Sequence, residues 1–398
     1  MNNVLKSMRL HIGIFGKRNV GKSSILNFLT GQNSSIVSDV AGTTTDAVEK
    51  TMELIPLGPV VFIDTAGVDD VGELGQQRIE KTFASINRID VALIVCDFNG
   101  INNFEKELIN EFVKREIPFG ILINKNDLEK ISTDKLNIIT SITTNNLSIN
   151  TKEEKYINAI KQLIVNIMPD GFFDEEKILN DIIAQGDTVV QVIPIDKEAP
   201  KGRLILPQVR TIRNILDIGA NSVITNEVNL KSTLENLKNK PKLVITDSQA
   251  FKKVDEVTPK DILLTSYSII FARLKGDLKY FVEGANKIKE LKDGDKVLIC
   301  ESCTHHSSCE DIGRVKIPNL IKKVTGKNLE FEVYSGHDFP DNLENYALLI
   351  HCGACMTNKR EVLSRIILSK EVDLPMTNYG ITIAYCLGIL DRAVKPFI

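Results

Sequence analysis

The sequence Gly16-Lys17-Arg18-Asn19-Val20-Gly21-Lys22-Ser23 determines the architecture of the first part of the chain. It follows an apolar run at 9–15 that predicts a buried strand, and a helical pattern at 24–30 comes after it. Between a strand and a helix, this pattern is typical of a phosphate-binding loop, whose backbone N–H groups surround phosphate oxygens. Lys22 is predicted to reach the β- and γ-phosphates, and the Ser23 hydroxyl to bind Mg²⁺. The residues predicted to contact the nucleotide here are Gly16, Lys17, Arg18, Asn19, Val20, Gly21, Lys22, Ser23 and Ser24.

Two further segments would complete the surroundings of Mg²⁺ and the terminal phosphate. Asp64-Thr65-Ala66-Gly67 ends a predicted strand at 60–64, which would place a carboxylate by Mg²⁺ and a glycine by the γ-phosphate. Thr44 lies between the phosphate-binding loop and Asp64, where a threonine that closes on Mg²⁺ is needed. The predicted Mg²⁺ ligands are therefore Ser23, Thr44 and Asp64. The residues predicted to act in hydrolysis are Lys22, Thr44, Asp64 and Gly67.

The segment Asn124-Lys125-Asn126-Asp127 follows a predicted strand at 118–124 and indicates which base is bound. Asp127 can accept hydrogen bonds from both N1–H and N2–H of guanine, and adenine offers no such pair, so we predict guanine. Ser148 and Ile149 are the nearest match to the last guanine-binding element, in which the Ile149 N–H would reach guanine O6. The predicted base contacts are Asn124, Lys125, Asp127, Ser148 and Ile149.

These segments, in this order, resemble those of the translation-factor class of GTPases. Finer features resemble the potassium-activated GTPases related to the tRNA-modification GTPase MnmE. Val68 stands where Ras-like GTPases have the glutamine that orients water, and Asn19 stands three residues before Lys22, as in the potassium-activated group. The resemblance implies that the Asn19 side chain and the carbonyls of Ser38 and Val40 hold K⁺. It also implies GTP hydrolysis that is slow and stimulated by K⁺.

Cysteine and histidine residues form a second set near the end of the chain, Cys303-Thr304-His305 and His351-Cys352-Gly353-Ala354-Cys355. Cys352 and Cys355 suit one metal on a tight turn, with Cys303 supplied by another loop. Three cysteines and one histidine suit structural zinc, and three cysteines with an open fourth position suit an iron–sulfur cluster, so the spacing does not decide. His305 and His351 are predicted either as the fourth ligand or as hydrogen-bonding neighbours of the ligands. Water or a carboxylate would serve equally well as that ligand.

Composition limits the remaining function classes. Of the 398 residues, 43% are hydrophobic and 25% are charged, and the net charge of -3 argues against nucleic acid as a partner. No apolar run is long enough to predict a membrane span, and the N-terminus does not resemble a signal peptide, so we expect a cytoplasmic protein. The cysteine count of seven is odd, which argues against a complete disulfide framework. Cys96 and Cys386 lie in apolar runs and are predicted to be buried.

Strands alternate with helices along the whole chain, which predicts an α/β fold with parallel sheets. The first domain is predicted at 1–170, the second at 177–267 and the third at 268–398. The second carries few candidate catalytic side chains, which suits a scaffold or oligomerisation module. Both pieces of the cysteine set are predicted to begin at carboxyl ends of strands, where open α/β sheets bind ligands.

The combination of an MnmE-like GTPase domain, an α/β middle block and Cys-x-His followed by His-Cys-x-x-Cys resembles the HydF family of FeFe-hydrogenase maturation GTPases. The phrases at 196–204 and 352–355 extend the resemblance over the whole chain. It implies a middle dimerisation domain and a third domain with a 4Fe–4S cluster on Cys303, Cys352 and Cys355, whose fourth ligand is exchangeable. It further implies a homodimer or higher oligomer that assembles the diiron precursor with two radical-SAM maturases and delivers it to apo FeFe-hydrogenase.

Two other readings compete with this one. The first is an RNA-associated GTPase with a C-terminal zinc module, acting in tRNA modification or ribosome assembly. The net charge of -3 and the lack of a basic, aromatic-rich stretch count against it. The second is a switch protein that binds GTP and hydrolyses it only incidentally.

Overall fold

The chain folds into two compact units, Met1–Asp174 and Glu175–Ile398, in a computed structural model. The structure describes residues 8–30, 39–40, 48–55, 57–65, 81–169, 172, 178–195, 202, 204–301, 311–340, 342–354 and 357–398. Within these ranges, every helix is too short or too polar to traverse a lipid bilayer.

One seven-stranded sheet forms the centre of the first unit. Its strands are β1 (Leu10–Phe15), β2 (Asp39–Val40), β3 (Val48–Leu54), β4 (Gly58–Asp64), β5 (Val91–Cys96), β6 (Phe119–Ile123) and β7 (Asn146–Ser148). They lie in the order β2-β3-β4-β1-β5-β6-β7. The five strands from β4 to β7 in this order are parallel, as predicted, whereas β3 runs antiparallel to β4 and β2 antiparallel to β3. The helices are α1 (Lys22–Thr30), α2 (Asn103–Lys114), α3 (Thr133–Ile142) and α4 (Lys155–Ile167).

Both faces of this sheet are covered, which explains the continuous apolar runs of its central strands. Every residue of β1 and β5 is buried. Because side chains alternate along a strand, Leu10 and Ile12 pack with α1 and α4 on one face, and Ala92 and Ile94 pack with α2 and α3 on the other. This sandwich presents the carboxyl ends of the parallel strands, where the phosphate-binding loop begins.

Two four-stranded parallel sheets form the second unit. The first sheet contains β8 (Thr188–Val192), β9 (Asn221–Thr225), β10 (Leu243–Thr246) and β11 (Leu263–Ser266), in the order β11-β10-β8-β9. The second contains β12 (Lys296–Glu301), β13 (Glu330–Ser335), β14 (Leu348–His351) and β15 (Met376–Asn378), in the order β13-β12-β14-β15. The helices are α5 (Leu206–Asp217), α6 (Leu230–Asn236), α7 (Phe251–Val257), α8 (Tyr267–Lys275), α9 (Leu278–Asn286), α10 (Ile317–Thr325), α11 (Lys359–Glu371), α12 (Tyr379–Cys386) and α13 (Leu390–Val394).

The two sheets of the second unit share one hydrophobic core. Val244 and Leu264 of the first sheet belong to the same buried cluster as Leu298 and Leu349 of the second. The predicted boundary between 267 and 268 therefore falls within a continuous core, and the three-domain division stays a prediction.

The sequence predicts one helix at 270–291 and another at 381–390, and both predictions are wrong in extent. The single helix expected at 270–291 is divided between α8 and α9, because the Asp277 side chain accepts a hydrogen bond from the Tyr280 N–H at 3.0 Å and starts a new helix. The helix expected at 381–390 begins earlier, at Tyr379, where Asn378 caps it through the Ile381 N–H at 2.9 Å. It ends at Cys386, and a separate short helix, α13, follows.

Candidate functional site

The phosphate-binding loop connects β1 to α1 and is closed around the ammonium group of Lys22. The Lys22 Nζ donates to the carbonyl oxygens of Gly16 and Lys17, both at 2.7 Å, and the side chain is buried. Asn19 has a positive φ of 63°, and its side chain is exposed on the outside of the loop. The loop thus buries its lysine and exposes its asparagine.

Gly21 lets this loop approach the carboxyl end of β6. Its φ is 101°, and a Cβ at this position would lie 2.2 Å from the Nδ2 of Asn124. That Nδ2 donates to the carbonyl of Val20 at 2.9 Å, and the Asn124 N–H donates to the carbonyl of Cys96 at 2.8 Å. The phosphate-binding loop and the predicted base-binding segment are therefore joined by a buried side chain.

Asp64 and Ser23 lie together beside the loop, as the sequence predicts. The Ser23 hydroxyl donates to the Asp64 Oδ2 at 3.2 Å, while the Oδ1 is buried without a hydrogen-bond partner in the described part of the chain. Burial raises the pKa of Asp64, and the Ser23 hydrogen bond and the Lys22 charge lower it by less. A carboxylate oxygen without a partner, next to a serine hydroxyl, fits a hard divalent cation such as Mg²⁺.

The base-binding segment follows β6. Lys152 Nζ lies 2.6 Å from the Asp127 Oδ2, and this hydrogen bond lowers the pKa of Asp127, which stays ionised and able to accept from a base. The Asn126 N–H donates to the carbonyl of Ile149 at 3.1 Å. The Ile149 N–H, however, donates to the carbonyl of Ile123 at 2.8 Å. This N–H is already used in strand pairing, which contradicts the predicted contact between Ile149 and guanine O6.

Several predicted nucleotide-site residues cannot be placed. Ser38, Thr44, Gly67 and Val68 lie outside the described residues, and of Val40 only its position in β2 is described. The predicted threonine ligand of Mg²⁺ and the predicted potassium site therefore stay predictions.

The second candidate site lies at the carboxyl edge of the β12–β15 sheet. Glu301 pairs in register with Ser335, and His351 pairs with Asn378, so the four strands end side by side. Cys352 follows β14 directly, at the position where parallel sheets bind ligands. Of the three predicted thiolate ligands only Cys352 is described; Cys303, Cys355 and also His305 lie outside the described residues.

A buried lysine, Lys275, donates hydrogen bonds to the turn that carries Cys352. Lys275 Nζ donates to the carbonyl oxygens of Ala354 at 2.6 Å and Thr357 at 2.9 Å. The Ala354 N–H donates to the Cys352 Sγ at 3.4 Å, and the Cys352 N–H donates to the carbonyl of Cys300 at 2.8 Å. Hydrogen bonds to sulfur stabilise thiolate ligands, so this turn fits a metal-bound cysteine.

His351 uses both ring nitrogens for contacts within the fold. Its Nε2 lies 2.8 Å from a guanidinium nitrogen of Arg365, and its Nδ1 lies 2.9 Å from the carbonyl of Cys352. Because arginine only donates, Nε2 accepts and Nδ1 carries the proton. Burial, then the Arg365 charge, lower the pKa of His351 to about 3. Of the two predicted roles, this geometry favours a hydrogen-bonding neighbour of Cys352 over a metal ligand.

Three other cysteines are protected from metal chemistry. Cys96 and Cys300 are buried and Cys386 is half-buried, and burial raises the pKa of each thiol to about 12. The predicted burial of Cys96 is confirmed, whereas Cys386, which was also predicted to be buried, is only half-buried. His337 is hydrogen-bonded to Glu361 at 3.1 Å, and His11 lies in β1. In the described part of the chain, no three His, Cys, Asp or Glu side chains come together as a metal site.

Sequence reasoning missed two residues near the carboxyl edge of the β12–β15 sheet, Lys275 and Tyr379. Lys275 stood inside a predicted helix with no local signal for its contacts 79 residues further on. Tyr379 follows β15, and the sequence did not predict this strand because its three residues form no apolar run.

Models of known protein families match three parts of the chain. The model described as hydrogen maturase F dimerization domain matches residues 178–276, and the hydrogen maturase F tetramerization domain matches residues 279–396. The model described as 50S ribosome-binding GTPase matches residues 11–125. The two maturase descriptions identify the second unit as oligomerisation domains. They confirm the expectation that the protein forms oligomers, whereas the number of subunits stays a prediction.

Individual relatives match part of the chain. The tRNA modification GTPase MnmE of Lachnoclostridium phytofermentans is 34% identical over 173 residues, which is 42% of this chain and 37% of that protein. The GTPase Der of Nitratidesulfovibrio vulgaris is 40% identical over 124 residues, 30% of this chain and 25% of that protein. The chain thus matches well under two thirds of the length of these relatives.

The solved structures that match this chain have lower sequence identity to it. A crystal structure of Era with MgGDPNP and a 16S ribosomal RNA fragment is 21% identical, covers 56% of this chain and 94% of that chain, and has a TM-score of 0.33. The G domain of the T. maritima FeoB iron transporter is 18% identical, covers 40% of this chain and 98% of that chain, and has a TM-score of 0.31.

The two maturase models together account for more than half of the chain, and the GTPase model contains the loop that closes on Lys22. The chain therefore belongs to the hydrogen maturase F (HydF) family and carries an N-terminal GTPase domain.

Proposed function

We propose that this protein is a GTPase of FeFe-hydrogenase maturation that holds a 4Fe–4S cluster and carries a diiron precursor to the apo-hydrogenase. The observation that carries the proposal is the presence of two separate sites in one chain of this family. One is the phosphate-binding loop with Lys22, Ser23 and Asp64, and the other is Cys352 at the carboxyl edge of a parallel sheet.

In the first site, the residues of the chain position GTP and neutralise its charge. Lys22 exchanges its two loop carbonyls for the β- and γ-phosphate oxygens, and Ser23 and Asp64 hold Mg²⁺. Asp127 binds the guanine edge in place of Lys152. Mg²⁺ supplies positive charge at the phosphates when bound.

Potassium stimulation is a finer part of the same proposal. Asn19 is exposed beside the phosphate-binding loop, where its side-chain oxygen is available to a cation. The carbonyls of Ser38 and Val40 would complete the K⁺ site.

In the second site, Cys303, Cys352 and Cys355 would hold the cluster. The Ala354 N–H donates a hydrogen bond to the Cys352 Sγ, and Lys275 donates to the carbonyl of Ala354 in the same turn. Both contacts suit a thiolate ligand at Cys352. A 4Fe–4S cluster on three thiolates supplies one iron with an exchangeable position when bound. The diiron unit is the cargo, made with two radical-SAM maturases and received by apo-hydrogenase.

Metal analysis of anaerobically purified protein tests the proposal. We expect iron and acid-labile sulfide together, with a broad absorption at about 400 nm from thiolate–iron charge transfer. Loading with the diiron precursor should then let the protein activate apo-hydrogenase. A colourless protein that contains zinc would contradict the proposal and support the RNA-associated GTPase instead.

A further inference from the structure

The hydroxyl group of Tyr379 is a buried donor without a use in the described fold. Tyr379 is the first residue of α12 and follows β15 at the carboxyl edge of the β12–β15 sheet. Its ring is partly exposed, but the hydroxyl oxygen is buried and has no hydrogen-bond partner in the ranges that the structure describes. A buried hydroxyl without a partner is unfavourable, so phenylalanine would serve the fold better.

Gly313 packs against this hydroxyl, and its lack of a side chain leaves room for the hydroxyl. A Cβ at Gly313 would lie 2.0 Å from the Tyr379 Oη and 2.7 Å from the Glu301 Oε1, so no side chain fits there. The contacts described for the Glu301 carboxylate go to its other oxygen, which accepts from Arg314 at 3.1 Å and from Ser335 at 3.3 Å. None of the hydrogen bonds described for Glu301 involves the Tyr379 hydroxyl, which is therefore available as a donor.

The hydroxyl also lies in the surroundings of the candidate cluster ligand. Burial, followed by the charges of Cys352 and Glu301, raises the pKa of Tyr379, which keeps its proton as a donor. Tyr379 follows Asn378, whose partner in register is His351, the residue before Cys352. The two residues thus follow neighbouring strands at one edge.

We propose that the Tyr379 hydroxyl donates a hydrogen bond to a sulfur atom of the cluster held by Cys352. The proposal rests on the proposed function, because it requires a cluster at this edge. Tyr379 is then a positioning residue that tunes the cluster, since hydrogen bonds to sulfur stabilise the more negative, reduced form.

The test compares the full-length wild type with Tyr379→Phe, after reconstitution with iron and sulfide. Tyr385→Phe is the matched control, because Tyr385 lies on the same helix and interacts instead with the backbone of Lys289. We expect Tyr379→Phe to keep its iron and to shift the cluster's midpoint potential to more negative values. The control should keep the wild-type potential.

Thermal unfolding gives a second readout that needs no cluster chemistry. Without iron, Tyr379→Phe should melt at the wild-type temperature or above it, because the removed hydroxyl has no partner. The increase in melting temperature on reconstitution should be smaller than in the wild type. Equal midpoint potentials of the wild type and Tyr379→Phe at equal iron content would overturn this inference but not the proposed function. A lower melting temperature of iron-free Tyr379→Phe would do the same. A wild type that takes up no iron would overturn the proposed function as well.

Discussion

Asn124 joins the two halves of the nucleotide site, because its Nδ2 donates to the carbonyl of Val20 at 2.9 Å. Asn124 follows β6, whereas Val20 belongs to the loop between β1 and α1. The contact fits only because Gly21 has no side chain in the path of this amide. The predicted base-binding segment and the phosphate-binding loop are thereby held in a fixed relative position.

Asn124→Ala should weaken GTP binding by about tenfold, because one buried hydrogen bond that shapes the phosphate-binding loop is lost, at a cost of about 1–2 kcal/mol. Titration calorimetry with a GTP analogue measures this. Asn146→Ala is the control, since that amide donates to the carbonyl of Thr143 within its own loop. Equal affinities of the two variants would show that the Asn124–Val20 contact is not used.

Lys22→Ala should lower the rate of GTP hydrolysis at least about a hundredfold, because the transferring phosphoryl group loses its main cation. Phosphate release assays measure the rate. The exposed Lys130 provides the control as Lys130→Ala, which should keep the wild-type rate. Full activity of Lys22→Ala would remove the basis for assigning this loop.

GTP hydrolysis should be faster in K⁺ than in Na⁺ at equal ionic strength, and Asn19→Ala should abolish the difference. The physical reason is that K⁺ bound by Asn19 would add positive charge beside the phosphates, as an arginine finger does in other GTPases. The neighbouring Arg18→Ala should retain the response to K⁺. Identical rates of the wild type in both salts would refute the potassium site.

Lys275→Met should destabilise the second unit by about 2–4 kcal/mol, because the carbonyls of Ala354 and Thr357 lose a buried charged donor. Urea unfolding of the iron-free protein measures this, and iron content should fall in the same variant. Lys279→Met, at an exposed position of α9, should change neither quantity. Wild-type stability of Lys275→Met would mean that the turn does not depend on the lysine.

Local patterns predicted the strand–loop–helix unit around Lys22 because each part has its own signal: an apolar run, a glycine-rich turn and an amphipathic repeat. The same patterns placed Cys352 at a strand end. They did not reveal that the Ile149 N–H is used by Ile123, since strand pairing depends on a neighbouring segment. Nor did they reveal β15, whose three residues include Thr377 and Asn378. Contacts distant in sequence, such as Lys275 with Ala354, leave no local pattern.

The central claim is that one chain carries a GTPase site and a separate cysteine-bound cluster. The decisive measurement is the iron content of anaerobically reconstituted Cys352→Ser, beside Cys386→Ser as control and with GTP hydrolysis assayed on the same samples. We predict about four iron atoms per chain in the wild type and the control, and loss of most iron in Cys352→Ser, with hydrolysis unchanged in all three. A full iron load in Cys352→Ser would contradict the account.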